Sequence, residues 1–122
     1  MQKWDVLYIW CRDIPRPHDK YCICIDPEKN WFLFINSDAP ASRKARDFAV
    51  CVAQHELPIL RHESFIDTTS IERLHPDEVA AALAEPQRHR GPVSPTLRRR
   101  IKEAAASHGA LNADELAAIT SD

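Results

Sequence analysis

The chain has 122 residues, 44% of them hydrophobic and 28% charged, with a formal net charge of −2 at pH 7. That length fits one domain spanning 1–122, and the composition excludes a disordered chain or a scaffold that needs disulfides to fold. A near-neutral chain has no overall field for a polyanion, so any nucleic-acid binding must rest on local clusters of Lys and Arg.

The opening Met1-Gln2-Lys3-Trp4-Asp5 has neither the apolar h-region nor the small-residue cleavage site of a signal peptide. No apolar run approaches the roughly 20 residues that cross a bilayer, so a cytoplasmic address without membrane contact is expected. Val6-Leu7-Tyr8-Ile9-Trp10-Cys11 is rich in β-branched and aromatic residues and is predicted as the first strand. Asp13 to Asp19 carries two prolines that restrict themselves and the residues before them, giving an extended loop. Tyr21–Ile25 and Trp31–Ile35 are predicted as a hairpin around the turn-forming Asp26-Pro27-Glu28-Lys29-Asn30. Both strands are almost continuously apolar, so both faces should be buried, one on the core and the other against a partner subunit.

Asn36 to Asp47 reads as a polar loop, Phe48–Ala53 as a fourth strand and Ser64–Asp67 as a fifth. Five short strands close into a barrel or a strongly twisted sheet. After about residue 70 the character changes, dividing the domain into a β-rich part (1–70) and a helical part (71–122). His75-Pro76-Asp77-Glu78 opens a helix through Ala84, and Pro86 stops it. Ser94-Pro95 opens a second helix to about Ser107, with Leu97, Ile101, Ala104 and Ala105 on one face and Gly109 as its stop. Asn112-x-x-Glu115 caps a last helix over Ala113–Ile119.

Four cysteines (Cys11, Cys22, Cys24 and Cys51) fall in the strand-like segments and are expected to be reduced, buried thiols. Cys22 and Cys24 form a C-x-C that one strand would set side by side. A zinc site built on them and a histidine is the alternative, and it lacks the usual paired spacing. No cofactor is expected.

The order of these pieces resembles the MazF/PemK family of toxin–antitoxin proteins. Trp4-Asp5-Val6-Leu7-Tyr8-Ile9 is similar to that family's first strand, with Trp4 standing where a glycine commonly precedes the aspartate. Leu57–Leu60, Ser64–Asp67 and Ile71-Glu72-Arg73-Leu74 resemble its later strand and the segment that follows. Gly91-Pro92-Val93-Ser94-Pro95 resembles the opening of its terminal helix. The likeness covers roughly residues 4–107 and implies an α+β fold: a small antiparallel SH3-like β-barrel of five or more strands with C-terminal helices.

The resemblance also implies a metal-independent endoribonuclease that cleaves single-stranded RNA by attack of the ribose 2′-OH on the adjacent phosphate. It implies a homodimer, held in check by an antitoxin. Carried over, the cation is Arg16 or Lys20 and the hydroxyl is Ser37, with His18 the nearest acid–base group. Each also has a plainer reading: Arg16 as a solvated charge, Lys20 as an edge guard, Ser37 as a turn residue. The remaining histidines, His55, His62, His75, His89 and His108, are further possible acid–base groups. Three basic clusters could meet RNA: Arg43-Lys44-Arg46, Arg88-His89-Arg90 and Arg98-Arg99-Arg100. The alternatives are a non-catalytic module of the same fold that binds a protein or nucleic acid, and a metal-binding regulator.

Overall fold

The computed structural model describes residues 1–121. Strand β1 (Asp5–Cys11) pairs antiparallel with β2 (His18–Asp26), which returns as β3 (Trp31–Asn36). Asp26 organises the β2–β3 turn by accepting the backbone N–H groups of Glu28 and Lys29, and Asn30 takes the left-handed conformation (φ 56°) that closes it. Helix α1 (Arg43–Asp47), β4 (Val50–Val52) and a 3₁₀ turn at Gln54–Glu56 follow. Then come β5 (Ser64–Ile66), β6 (Glu72–Arg73), α2 (Pro76–Leu83), a 3₁₀ turn at Pro86–Arg88 and β7 (His89–Pro92). Helices α3 (Pro95–His108) and α4 (Ala113–Thr120) end the chain.

The strands form one curled antiparallel sheet in the order β4-β5-β3-β2-β1-β7, with β6 also pairing β3. The fold is therefore α+β with C-terminal helices. Strand alternation divides the sheet's side chains between two cores. One holds Val6, Ile23, Ile25, Leu33, Ile35 and Ile66 against Leu97, Ile101 and Ala105 of α3 and Ile119 of α4. The other holds Leu7, Ile9, Cys11, Cys22, Cys24 and Phe32 against Val79 and Ala82 of α2. The second apolar face, expected against a partner subunit, is thus covered by the chain's own helix.

Helix ends follow the sequence closely. Ser94 accepts the Leu97 N–H at the start of α3, and Gly109 ends it at φ 67°. Asn112 and Glu115 cap α4 reciprocally. At α2, buried Glu78 accepts the N–H of His75 through one carboxylate oxygen and that of Arg12 through the other. One side chain thereby caps the helix and fixes it to the end of β1.

Five expectations need correction. The loop predicted over Asp13 to Asp19 stops short of His18, because His18 and Asp19 already pair with Cys11 and Trp10 in β2. The segment 36–47 is not wholly a loop, because Ser42 accepts the Ala45 N–H and starts α1. Strand β4 begins at Val50, since the N–H of Phe48 still bonds back into α1, and Cys51 in its middle is exposed rather than buried. The sheet continues past residue 70, because β6 and β7 pair with β3 and β1. Strand β7 was hidden in a polar His-Arg-Gly-Pro stretch that carries no strand-like alternation.

Trp4 has φ 76°, the left-handed region that glycine enters at little cost. Its ring is buried in the larger core, and its backbone bonds the Cys24 carbonyl and the Val93 N–H. Packing and two hydrogen bonds hold this strained residue where β1 begins.

Candidate functional site

The register of β1, β2 and β3 builds one surface. Tyr8 faces Tyr21, and Tyr21 faces Ile35, so these three form a row across the sheet. One step along, two residues further on each strand, Trp10 faces Asp19, and Ser37 follows on the extension of β3. Tyr8, Asp19, Tyr21, Ile35 and Ser37 form the floor, whereas Trp10, at the far end of β1, lies outside the lining. Above them passes the segment that leads into β5, with Ile59, Leu60, Arg61, His62 and Ser64. Between floor and wall lies a cleft of about 480 Å³, lined also by His18.

The Tyr8 and Tyr21 rings are 4.4 Å apart between centroids and tilted by 31°. Arg88 lies outside the lining and anchors Asp19 from behind. Its guanidinium donates to Asp19 Oδ1 at 2.6 Å, to the Tyr8 carbonyl at 3.1 Å and to Glu85 at 2.8 Å, and lies 5.5 Å from the Tyr8 ring centre. These acceptors hold the guanidinium firmly in its charged form.

The two cleft histidines are fixed in the same way. His62 Nδ1 lies 2.9 Å from the Glu63 carbonyl, and His18 Nδ1 bonds the Arg16 carbonyl. A carbonyl oxygen can only accept, so each Nδ1 carries a proton, and in the neutral ring Nε2 is the atom left with the lone pair. Such a nitrogen can take a proton from a hydroxyl, and a second, protonated histidine can return one to a leaving oxygen.

Of the residues put forward from the sequence, Ser37 and His18 line the cleft with exposed side chains. Lys20 also forms part of its wall, but its ammonium points to the other face of the sheet. There it bonds Asn36 and sits 4.9 Å from the Phe34 ring. Arg16 stays in the exposed loop and is not part of the lining. The cation of this cleft is instead Arg61, which is exposed.

The basic clusters are dispersed. Arg43, Lys44 and Arg46 project from α1, with Arg43 4.0 Å from Asp47. Arg88 is committed to its acidic partners, whereas Arg90 is exposed on β7. Arg98 bonds the Val93 carbonyl, and Arg100 ties α3 to Glu56 and the Cys51 carbonyl. None of them lines the cleft.

A second cleft, of about 330 Å³, lies between the end of β1 and α2. Trp10, 53% exposed, forms one side, and Ala81, Ala82, Asp77 and Glu85 form the other. Arg12 pairs with Asp77 at 2.7 Å across it. Burial pushes the Cys24 thiol up to about 12 and the Cys22 thiol well above its ordinary range. Among the described residues, no group of three or more His, Cys, Asp or Glu is arranged to hold a metal ion.

The sequence offered His62 as one of six possible acid–base histidines, but gave no sign of Tyr8, Tyr21, Asp19 or Arg61 as site residues. Hairpin register alone was available to place Tyr8, Tyr21 and Asp19 together. Nothing along the chain brings the segment at 59–64 over Ser37. No family model, curated protein or solved structure matches this chain. Among the described residues no helix is long and apolar enough to cross a membrane.

Proposed function

We propose that this protein is a MazF/PemK-like toxin, an SH3-like barrel whose cleft binds single-stranded RNA and cleaves it without a metal. The observation that carries this reading is the meeting of two histidines with free Nε2 atoms, Arg61, Ser37 and a stacked tyrosine pair in one cleft. Trp4 adds support: its left-handed backbone falls where the family commonly has glycine.

In the reaction, one histidine Nε2 takes the proton of a ribose 2′-OH. The 2′-oxygen forms a bond to the adjacent phosphorus as the bond from phosphorus to the 5′-oxygen breaks. The other histidine, protonated, gives its proton to that oxygen. The products are a 2′,3′-cyclic phosphate and a 5′-hydroxyl. Arg61 and the Ser37 hydroxyl donate to the phosphorane oxygens, where charge accumulates. Tyr8 and Tyr21 hold a base, since every base has a face that stacks on an aromatic ring. The partner this reading calls for is an antitoxin segment that covers the cleft, with the protein acting as a homodimer.

A second reading, a non-catalytic RNA-binding module, is favoured by one observation. The ammonium of Lys20 lies on the opposite face, and Arg16 lies outside the cleft.

The test is incubation of a long single-stranded RNA with the protein in EDTA, beside His62→Ala and Ser37→Ala variants. Discrete fragments ending in 2′,3′-cyclic phosphate, with cleavage slowed about 10²-fold or more by His62→Ala, support the nuclease. RNA that is bound but intact selects the second reading. A folded protein that neither binds nor cleaves RNA rejects both.

A further inference from the structure

Asp19 is an odd neighbour for a phosphate. Its side chain is 25% exposed inside the cleft, one step along β2 from Tyr21, a spacing of about 7 Å. Arg88 holds Oδ1 at 2.6 Å and so fixes the carboxylate's direction. Oδ2 accepts no hydrogen bond among the described residues. Because Arg88 is shared with Glu85, the cluster of Arg88, Asp19 and Glu85 keeps one net negative charge. This corner of the cleft repels phosphate and offers an oriented acceptor beside an aromatic ledge.

The group that suits it is a flat ring with two adjacent N–H donors on its edge. Guanine presents N1–H and the 2-amino group side by side, which match the two oxygens of a carboxylate. Adenine, cytosine and uracil each set a donor beside an acceptor, and that acceptor would face the carboxylate unfavourably. The spacing of about 7 Å along β2 leaves room for a base stacked on Tyr21 to turn its Watson–Crick edge towards Asp19.

Resting on the RNA reading above, we propose that Asp19, oriented by Arg88 beside the Tyr8–Tyr21 pair, makes this cleft selective for an unpaired guanine. Asp19 is a specificity residue: it reads the base and takes no part in the proton transfers.

The experiment measures fluorescence anisotropy of labelled U3-X-U3 RNA heptamers at one fixed salt concentration. Every sugar carries 2′-fluorine, so the attacking hydroxyl is absent. With X as guanine, binding is expected to be about tenfold tighter than with adenine, cytosine or uracil. Inosine, which keeps N1–H and lacks the 2-amino group, should lose most of that advantage in the wild-type protein. Asp19→Asn keeps the shape and an acceptor for Arg88. It should bring guanine to within about twofold of adenine, because the amide N–H opposes guanine's two donors and meets adenine's ring acceptor.

Equal binding of all four bases overturns the proposal and leaves the RNA reading standing. So does a guanine preference that survives in folded Asp19→Asn. Should that variant fail to fold, the inosine comparison in the wild type decides. Failure of the folded wild type to bind any heptamer overturns the RNA reading and this proposal together.

Discussion

Across β1 and β2, the ring of Tyr8 lies 4.4 Å from that of Tyr21, tilted by 31°, on a face of the sheet that α3 and α4 leave uncovered at this end. Both rings are only partly buried, so their contact serves stability and leaves surface for a guest. Cross-strand aromatic pairs contribute about 0.5–1.5 kcal/mol beyond the area they bury. A double-mutant cycle of Tyr8→Leu and Tyr21→Leu, followed by urea unfolding, should give a coupling energy of about 1 kcal/mol. If Tyr21 also stacks a base, Tyr21→Leu should weaken binding of a single-stranded RNA by about 1–3 kcal/mol. A coupling near zero would mean that the two rings touch without helping each other.

The four thiols should separate by reactivity. Cys11, Cys22 and Cys24 are buried on the face that α2 covers, whereas Cys51 is exposed on β4. The thiolate is the reacting species, and burial holds Cys22 and Cys24 in the thiol form. A chromogenic disulfide reagent at neutral pH should label Cys51 quickly in the native protein, and the other three only in denaturant. Cys51→Ser should abolish the fast phase. Fast labelling of Cys22 or Cys24 in that variant would show that α2 opens readily from the sheet.

The sequence made the helices and the β2–β3 hairpin legible because their signals are local. Ser94, Gly109 and the Asn112–Glu115 pair act within four residues of the groups they satisfy. The cleft was legible only in part. Ser37 and His18 were readable, but whether Lys20 faced the cleft depended on register, and a shift of one residue exchanges the faces of a strand. Arg61 and His62 reach Ser37 only through the path of the chain between β4 and β5, for which no short-range signal exists. Arg88 looked like part of a basic patch, and its commitment to Asp19 and Glu85 is a tertiary fact.

Glu56 ties the 3₁₀ turn to α3. It accepts the Ala53 N–H at 3.0 Å and meets Arg100 at 2.5 Å. The backbone N–H foremost, with Arg100 adding to it against the opposing effect of burial, holds its carboxyl below the usual range. A carboxylate held low in the folded state binds fewer protons there than in the unfolded chain. Its stabilisation is complete above the ordinary value of about 4.3 and is lost as pH falls through the lower folded value. Glu56→Gln should therefore cost about 1 kcal/mol at neutral pH and almost nothing in acid. Thermal unfolding of both proteins between pH 7 and pH 3 checks this. A gap that does not shrink on acidification would assign the loss to packing instead of charge.

Trp4 sets two effects against each other. At φ 76° its backbone is strained, by about 1 kcal/mol or more for a residue with a side chain. Its ring is 4% exposed within the larger core, where truncation of a tryptophan typically costs about 3–5 kcal/mol. Burial wins, so both Trp4→Ala and Trp4→Gly should destabilise the protein. The order between them is informative. In an ordinary strand glycine is the worse replacement, by about 0.5–1 kcal/mol, because it gives up more conformational freedom on folding. Here alanine keeps the strain that glycine relieves, while both open the same space in the core. Trp4→Gly should therefore be the more stable of the two by about 1 kcal/mol, as read from urea midpoints at equal slope. The reverse order would show that the start of β1 relaxes out of the left-handed region once the ring is gone. The bonds from Trp4 to Cys24 and Val93 would then be too weak, without the packed ring, to hold the turn that sets the register of the whole strand.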